Sequence, residues 1–360
     1  MARVVALTAP RTLAIEDHPD PPLAAHEVRL ATLYSGISAG TELASYRGTN
    51  PYLHKRWDAA QRLFRDDGDP SLTYPVRSLG YEEVGRVVER GAAVAAPAVG
   101  DLVYGTWGHR THHVADAAWA AGRLLPEGLD PRAGVFSHIG AVALNGVHDA
   151  RIRIGDAVVV FGLGVPGQIV AQLATRSGAR VIGVEPIAAR RRLALELGAV
   201  EEALDPAAGG IAEAIRERTD GRGADVAIEV SGAAPALHEA IRTVAYAARV
   251  VAMGFVQGEA RGLHLDEEFH HNRIELVSSQ ISGVAPEQSY RWDKPRLAAT
   301  AIDLQARGVL DLLPLITHTF AFEAAAEAFA LLDGRPGEAL QVLLRTDAGA
   351  ASAADAGAAS

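Results

Sequence analysis

The sequence contains no cysteine. This excludes disulfides, thiolate catalysis and any zinc site built on thiolates, and it leaves no thiol from which to read a redox compartment. Basic charge is also short: Lys plus Arg is 34 against 44 for Asp plus Glu, a formal net charge of −10. A nucleic-acid or anionic-membrane surface needs the opposite sign, so neither partner is expected. Long hydrophobic runs are missing as well. Stretches such as Ala157–Phe161 fall far below the ~20 residues of a membrane helix. The opening MARVVALTAPRTLAIEDHPD has no long apolar core behind a basic start. It is therefore not read as a signal peptide, and a cytoplasmic globular protein is expected. No internal repeat is visible.

What is present suffices for a large core. The chain has 360 residues, 49% of them hydrophobic and 22% charged, which suits a soluble enzyme of about two domains. The first part reads as β-rich, with strands at Val4–Leu7, Val28–Leu33, Val84–Val88 and Leu102–Tyr104 between Gly, Pro and Asp punctuation. A polar, aromatic and basic stretch between Gly48 and Pro75 reads as a long loop holding one short helix, Trp57–Arg65. From about Pro131 the rhythm changes. Strands at Ala157–Phe161, Arg180–Val184, Asp225–Val230 and Arg249–Met253 alternate with helical segments. That alternation predicts a doubly wound α/β unit, a parallel sheet with helices on both faces. The Ala/Gly/Ser-rich end is expected to be disordered.

In VVVFGLGVPGQIVAQLA, Gly162, Gly164 and Gly167 have G-x-G-x-x-G spacing. An apolar strand precedes them and an amphipathic helix follows, the setting of a dinucleotide turn. The first glycine permits the tight turn, the second lets backbone approach a pyrophosphate, and the third lets helix pack on strand. Val165 and Pro166 then line the pyrophosphate at the helix N-terminus. The next strand ends at Glu185, placed to meet the adenosine ribose. A carboxylate there repels a 2′-phosphate, so NAD is expected. Arg190 and Arg191 nearby leave NADP as the alternative. The blander readings are a merely structural glycine turn and Glu185 as a surface carboxylate.

Several stretches together resemble the medium-chain dehydrogenase/reductase (zinc-type alcohol dehydrogenase-like) superfamily. YSGISAGTELASYRG is similar to its G-I-C-G-T-D loop, LGYEEVGRVVERG to G-H-E-x-x-G-x-V, and VGDLVYG to V-G-D-R-V. GLGVPGQIVAQLA is similar to the cofactor turn, and FAFEAAAEAFALL to the closing helix. S-G-I-S-x-G-T-E with G-Y-E looks most like the hydroxyethyl-bacteriochlorophyllide dehydrogenase group. The resemblance implies a Rossmann domain of 125–290 and a β-rich, GroES-like catalytic domain of 1–124 and 291–345, with 346–360 as a disordered tail. It also implies a homodimer joined through the edge strand Ile274–Gln280.

The departures from the family pattern bear on chemistry. The first zinc ligand falls on Ser38 or Ala39, the histidine becomes Tyr81, Glu82 is kept, and the last ligand falls near His138. Two ligands are too few for a tetrahedral site, so zinc is not expected. The four-cysteine structural lobe is absent. His109, His112, His113, His270 and His271 are read as structural histidines; adjacent residues on a strand face opposite sides.

Resemblance assigns the proton relay of the alcohol dehydrogenases to Thr41, with Ala44 where a relay histidine often stands. Tyr81, Glu82 and His138 are expected at the vacated metal position, beside Ser38. Tyr81 is expected as the proton donor, supported by His138 and Thr41 and tuned by Glu82. The alternative is that Tyr81 and His138 merely fill the space. Candidate substrate contacts are Tyr46, Tyr52, Lys55, Arg56, Trp57, Trp107 and, near Trp292 and Lys294, Arg291. These suit a polar or anionic molecule, or else form a solvated surface. The expectation is a zinc-independent, NAD(P)-dependent oxidoreductase interconverting a secondary alcohol and a ketone. The alternatives are an NADPH-dependent quinone or enoyl C=C reductase, whose N-P-x-D loop is not found here, and a non-catalytic dinucleotide-binding protein.

Overall fold

A computed structural model describes residues 2–358. The chain divides into two units, Met1–His138 with Leu313–Ser360, and Ile139–Leu312. The boundaries fall later than the expected 124/125 and 290/291.

The first unit opens with a hairpin of β1 (Ala2–Ala9) and β2 (Thr12–His18), followed by β3 (Glu27–Ile37) and helix α1 (Thr41–Arg47). Strands β4 (Arg56–Asp58) and β5 (Leu63–Arg65) come next, then β6 (Glu83–Arg90), β7 (Leu102–Gly105), β8 (His112–Asp116) and helix α2 (Ala117–Ala121). The short helix expected at Trp57–Arg65 is instead the β4–β5 hairpin. Trp57 sits opposite Phe64 in its register, with ring centroids 4.9 Å apart. This cross-strand aromatic pair outweighs local helical preference. Strand β3 is the spine of a six-stranded sheet, pairing antiparallel with both β6 and β8.

The second unit contains most of α3 (Phe136–Ala150), then β9 (Ala157–Phe161), α4 (Val165–Arg176), β10 (Arg180–Val184), α5 (Ala188–Glu196) and β11 (Glu202–Leu204). It continues through α6 (Ile211–Glu217), β12 (Ala224–Glu229), α7 (Ala234–Thr243), β13 (Val244–Ala252), α8 (Glu268–His271), β14 (Glu275–Ser278) and α9 (Lys294–Ala306). Its six strands are parallel in the order β11-β10-β9-β12-β13-β14. This is the doubly wound order, with the switch point between β9 and β12. Every residue of β9 is buried, as a central parallel strand requires. Helix α9 belongs to this unit because it packs on α3: a Cβ added at Gly140 would lie 2.7 Å from that of Ala301. That contact moves the boundary past 291.

The chain then returns to the first unit as β15 (Ile316–Ala321), α10 (Ala325–Gly334), β16 (Gln341–Arg345) and α11 (Asp347–Ala358). Strand β16 completes the mixed sheet by pairing antiparallel with β3 and parallel with β15. The core here includes Val5, Leu7, Ile37, Phe322, Phe329 and Leu344. The tail expected to be disordered is the helix α11 as far as Ala358; positions 359–360 lie outside the described residues. Its alanine favours helix, and its glycine allows close approach. A Cβ at Gly349 would lie 2.2 Å from the Leu33 carbonyl oxygen. Among the described residues, no helix is long and apolar enough to cross a membrane.

Candidate active site

In the first unit, the loop leaving β3 brings Ser38 and Thr41 to Tyr81. The Tyr81 phenol donates to Ser38 Oγ, and Thr41 hydrogen-bonds the same phenol. His138, near the start of α3, sets its ring edge-on to Tyr81 at 4.8 Å and 60°. Burial pushes the Tyr81 hydroxyl well above its ordinary value, and the charges of Glu82 and Glu42 push it the same way. The phenol thus keeps its proton. Thr41 is exposed at the first position of α1, so this run of hydroxyls ends in water.

Behind the hydroxyls lies buried acid. Glu82 is 1% exposed, and its Oε2 accepts from Gln341 Nε2 at 3.2 Å. A Cβ at Gly36 would stand 2.5 Å from that oxygen, so only glycine leaves room for the carboxyl. Burial, with the charges of Glu42 and Glu83, raises the Glu82 carboxyl well above its ordinary value. Glu42 Oε1 accepts from the Ser38 backbone N–H at 2.8 Å. Its Oε2 meets His109 Nε2 at 2.7 Å. His109 Nδ1 in turn meets Ser35 Oγ at 2.7 Å, and that hydroxyl donates to Glu83 Oε1 at 3.0 Å. Burial opposes charge on the imidazole, but Glu42 and Glu83 overcome it and raise the His109 pKa.

The expected residues Ser38, Thr41, Tyr81, Glu82 and His138 therefore come together. Glu42, His109, Ser35 and Glu83 are further members that the sequence reading missed. Tyr81 holds Ser38, Gln341 holds Glu82, and among the described residues no third His, Asp or Glu ligand atom gathers with Glu82 and His138.

The substrate candidates divide. Arg56 and Trp57 lie on β4, and Tyr52 and Lys55 just before it meet the same hairpin: the Tyr52 and Trp57 ring centroids are 6.5 Å apart, Lys55 pairs with Asp66 at 3.0 Å and Arg56 with Asp67 at 2.9 Å. Tyr46 and Trp107 do not join them. Tyr46 is 5% exposed and packs on Phe329. Trp107 is also 5% exposed, stacks on His113 and donates from Nε1 to Thr32 at 2.9 Å. Both are core residues, and the indole N–H of Trp107 has an internal partner. Arg291 is exposed in the second unit, beside the Trp292–His148 ring pair.

In the second unit, the glycine turn follows β9 as expected. Gly162 has φ +89°, a conformation costly for other residues. A Cβ at Gly167 would lie 1.9 Å from the Gly162 carbonyl oxygen. Gly164 caps α4, and Val165 and Pro166 form its first turn. The helix dipole there favours a pyrophosphate. Glu185 is not a surface carboxylate: it is 3% exposed, and it accepts from Leu163 N–H at 2.7 Å and Ile187 N–H at 3.0 Å. Arg190 approaches Gly164, its guanidinium 3.9 Å from where a Cβ would stand. Arg191 is held by the Glu185 and Pro186 carbonyls and by Asp205. The sequence reading missed the opposite wall. Buried Glu229 accepts from the backbone N–H groups of Ser231 at 2.7 Å and Gly232 at 3.0 Å, and a Cβ at Gly162 would lie 2.8 Å from that of Ser231. The E-V-S-G at the end of β12 was its only signal.

A parallel sheet in doubly wound order, with a glycine turn at its switch point, defines a dinucleotide-dependent class of protein. The zinc-binding dehydrogenase family matches residues 166–295. D-guloside 3-dehydrogenase of Escherichia coli is 33% identical over 335 residues, covering 91% of this chain and 95% of the relative. Sorbitol dehydrogenase of Halalkalibacterium halodurans is 27% identical over 362 residues, covering 92% of this chain and 95% of the relative. The crystal structure of 2R,3R-butanediol dehydrogenase from Bacillus subtilis superposes with a TM-score of 0.75 at 23% identity, covering 96% of this chain and 99% of that one. The chain belongs to the medium-chain dehydrogenase/reductase superfamily, and it is an NAD(P)-dependent oxidoreductase of that family.

Proposed function

We propose that the chain interconverts a secondary alcohol and a ketone on a polyhydroxylated small molecule, with Tyr81 in place of zinc as the group that meets the developing alkoxide. The observation that carries this is the hydroxyl run Thr41–Tyr81–Ser38 with His138 edge-on to the phenol. When bound, the nicotinamide ring supplies or accepts the hydride. The protein must then stabilise charge on the substrate oxygen. A phenol held well above its ordinary pKa gives its proton only to a strong base, and an alkoxide is one. Thr41 restores that proton from water, and in alcohol oxidation the proton follows the same hydroxyls outward. Glu42 fixes the Ser38 backbone and so holds the loop. The sugar and polyol names of the relatives, with the polar hairpin of Tyr52, Lys55, Arg56 and Trp57, support a sugar- or polyol-like substrate.

NAD is the proposed cofactor, held by Gly162, Gly164, Val165, Pro166 and Gly167. The Glu185 carboxylate stands at the end of β10, and Arg191 is engaged elsewhere, which disfavours a 2′-phosphate. Replacing Glu185 by Ser is expected to improve NADP binding relative to NAD. Tighter NADP than NAD binding by the wild type in a fluorescence titration would refute the assignment. For the reaction, Tyr81→Phe is expected to cut turnover by ~10²-fold or more, the scale of a lost general acid, with NAD affinity intact. Turnover within a few-fold of wild type would refute Tyr81 as donor.

A further inference from the structure

A second cluster of chemistry-bearing side chains lies in the Rossmann unit. His238 is on α7. His264 and Glu267 lie in the segment between β13 and α8, and Glu268 opens α8. Ligand atoms of His238, Glu267 and Glu268 all lie within 4.8 Å of one another. His238 Nε2 stands 3.7 Å from Glu267 Oε2. The His264 ring centroid is 5.1 Å from that of His238.

Two buried atoms here lack a hydrogen-bond partner, His238 Nδ1 and Glu268 Oε2. Buried polar atoms are rarely left unpaired, and each such atom calls for a reason. An imidazole nitrogen and a carboxylate oxygen are both donors that zinc takes. The other Glu268 oxygen is already oriented, since Oε1 accepts from Arg242 Nε at 3.3 Å. Outer contacts of this kind fix a metal-binding carboxylate in place.

We propose that His238, Glu267 and Glu268 form a structural divalent-metal site, suited to zinc with water as its fourth ligand, that fastens the chain entering edge strand β14 onto helix α7, with the His264 ring alongside His238. Donors 2.0–2.1 Å from one tetrahedral zinc stand about 3.4 Å apart, so the cluster must close by roughly an ångström. The Glu267 side chain is 55% exposed and free to make that move. The site lies on different residues from Tyr81, Glu82 and His138, and its metal takes no part in the reaction.

The test uses the full chain, stripped with chelator and titrated with Zn²⁺ against a competing indicator. Co²⁺ is added in parallel, for its tetrahedral absorption bands. One site is expected, with zinc raising the melting temperature. His238→Ala and Glu268→Gln should each weaken zinc binding at least ~10-fold and abolish the melting shift, with turnover unchanged. Glu267→Gln, at an exposed position, serves if the buried variants do not fold, and should weaken binding in the same direction. No zinc binding by the wild type would overturn the site. So would unweakened binding in these variants, or binding lost instead in Glu82→Gln.

Discussion

Glu82 is one of three glutamates, with Glu42 and Glu83, that the first unit buries close together. Its carboxyl is raised well above the ordinary 4.5. The folded state therefore binds a proton that the unfolded state releases. The stability this provides is fully present below pH 4.5 and is lost as pH rises through the folded value. Glu82→Gln removes the titration while keeping an acceptor for Gln341. The variant should melt progressively higher than wild type as pH goes from 5 to 8. A melting difference that does not change with pH would mean that Glu82 is ionised in the fold. His109 and Glu42 form a buried pair at 2.7 Å, and His109→Ala leaves Glu42 Oε2 without its imidazole partner. Breaking such a pair costs about 3–5 kcal/mol, to be read from urea unfolding. Of these residues, Tyr81, Glu82 and His138 were legible because they stand at motif positions. His109 was not, because its partner Glu42 lies 67 residues away in sequence and only the β3 sheet brings them together.

Among elements, the parallel strands and the turn after β9 were legible because β-branched runs and glycine spacing are local signals. The β4–β5 hairpin was not. Its order comes from the Tyr52, Trp57 and Phe64 rings packing on one another, which no local preference encodes. Helix α11 was missed for a similar reason: its small residues read as low complexity, yet they are what lets it lie on β3. At the glycine turn, Gly167→Ala would drive a methyl to within 1.9 Å of the Gly162 carbonyl. The turn must open, so NAD should bind at least ~10-fold more weakly, about 1.4 kcal/mol, as measured by cofactor fluorescence. Unchanged NAD affinity would show that the helix N-terminus does not hold the pyrophosphate.

At the scale of the whole molecule, β14 is the edge of the Rossmann sheet and, among the described residues, pairs only with β13. We propose a homodimer formed there, since an uncovered edge strand invites pairing. Light scattering at micromolar concentration should give twice the chain mass of 37.8 kDa; a monomer would refute the dimer. Zinc-type members of the family place their chemistry on zinc, whereas the first unit of this chain offers a phenol, two hydroxyls and an imidazole. The direct test measures alcohol oxidation with NAD by the His238→Ala chain after exhaustive chelation, with and without added Zn²⁺. That background removes the structural metal, so only a catalytic metal could matter. Full turnover is expected without metal, with no gain from zinc and a loss of ~10²-fold on adding Tyr81→Phe. Turnover that vanishes on chelation and returns with stoichiometric zinc would contradict this.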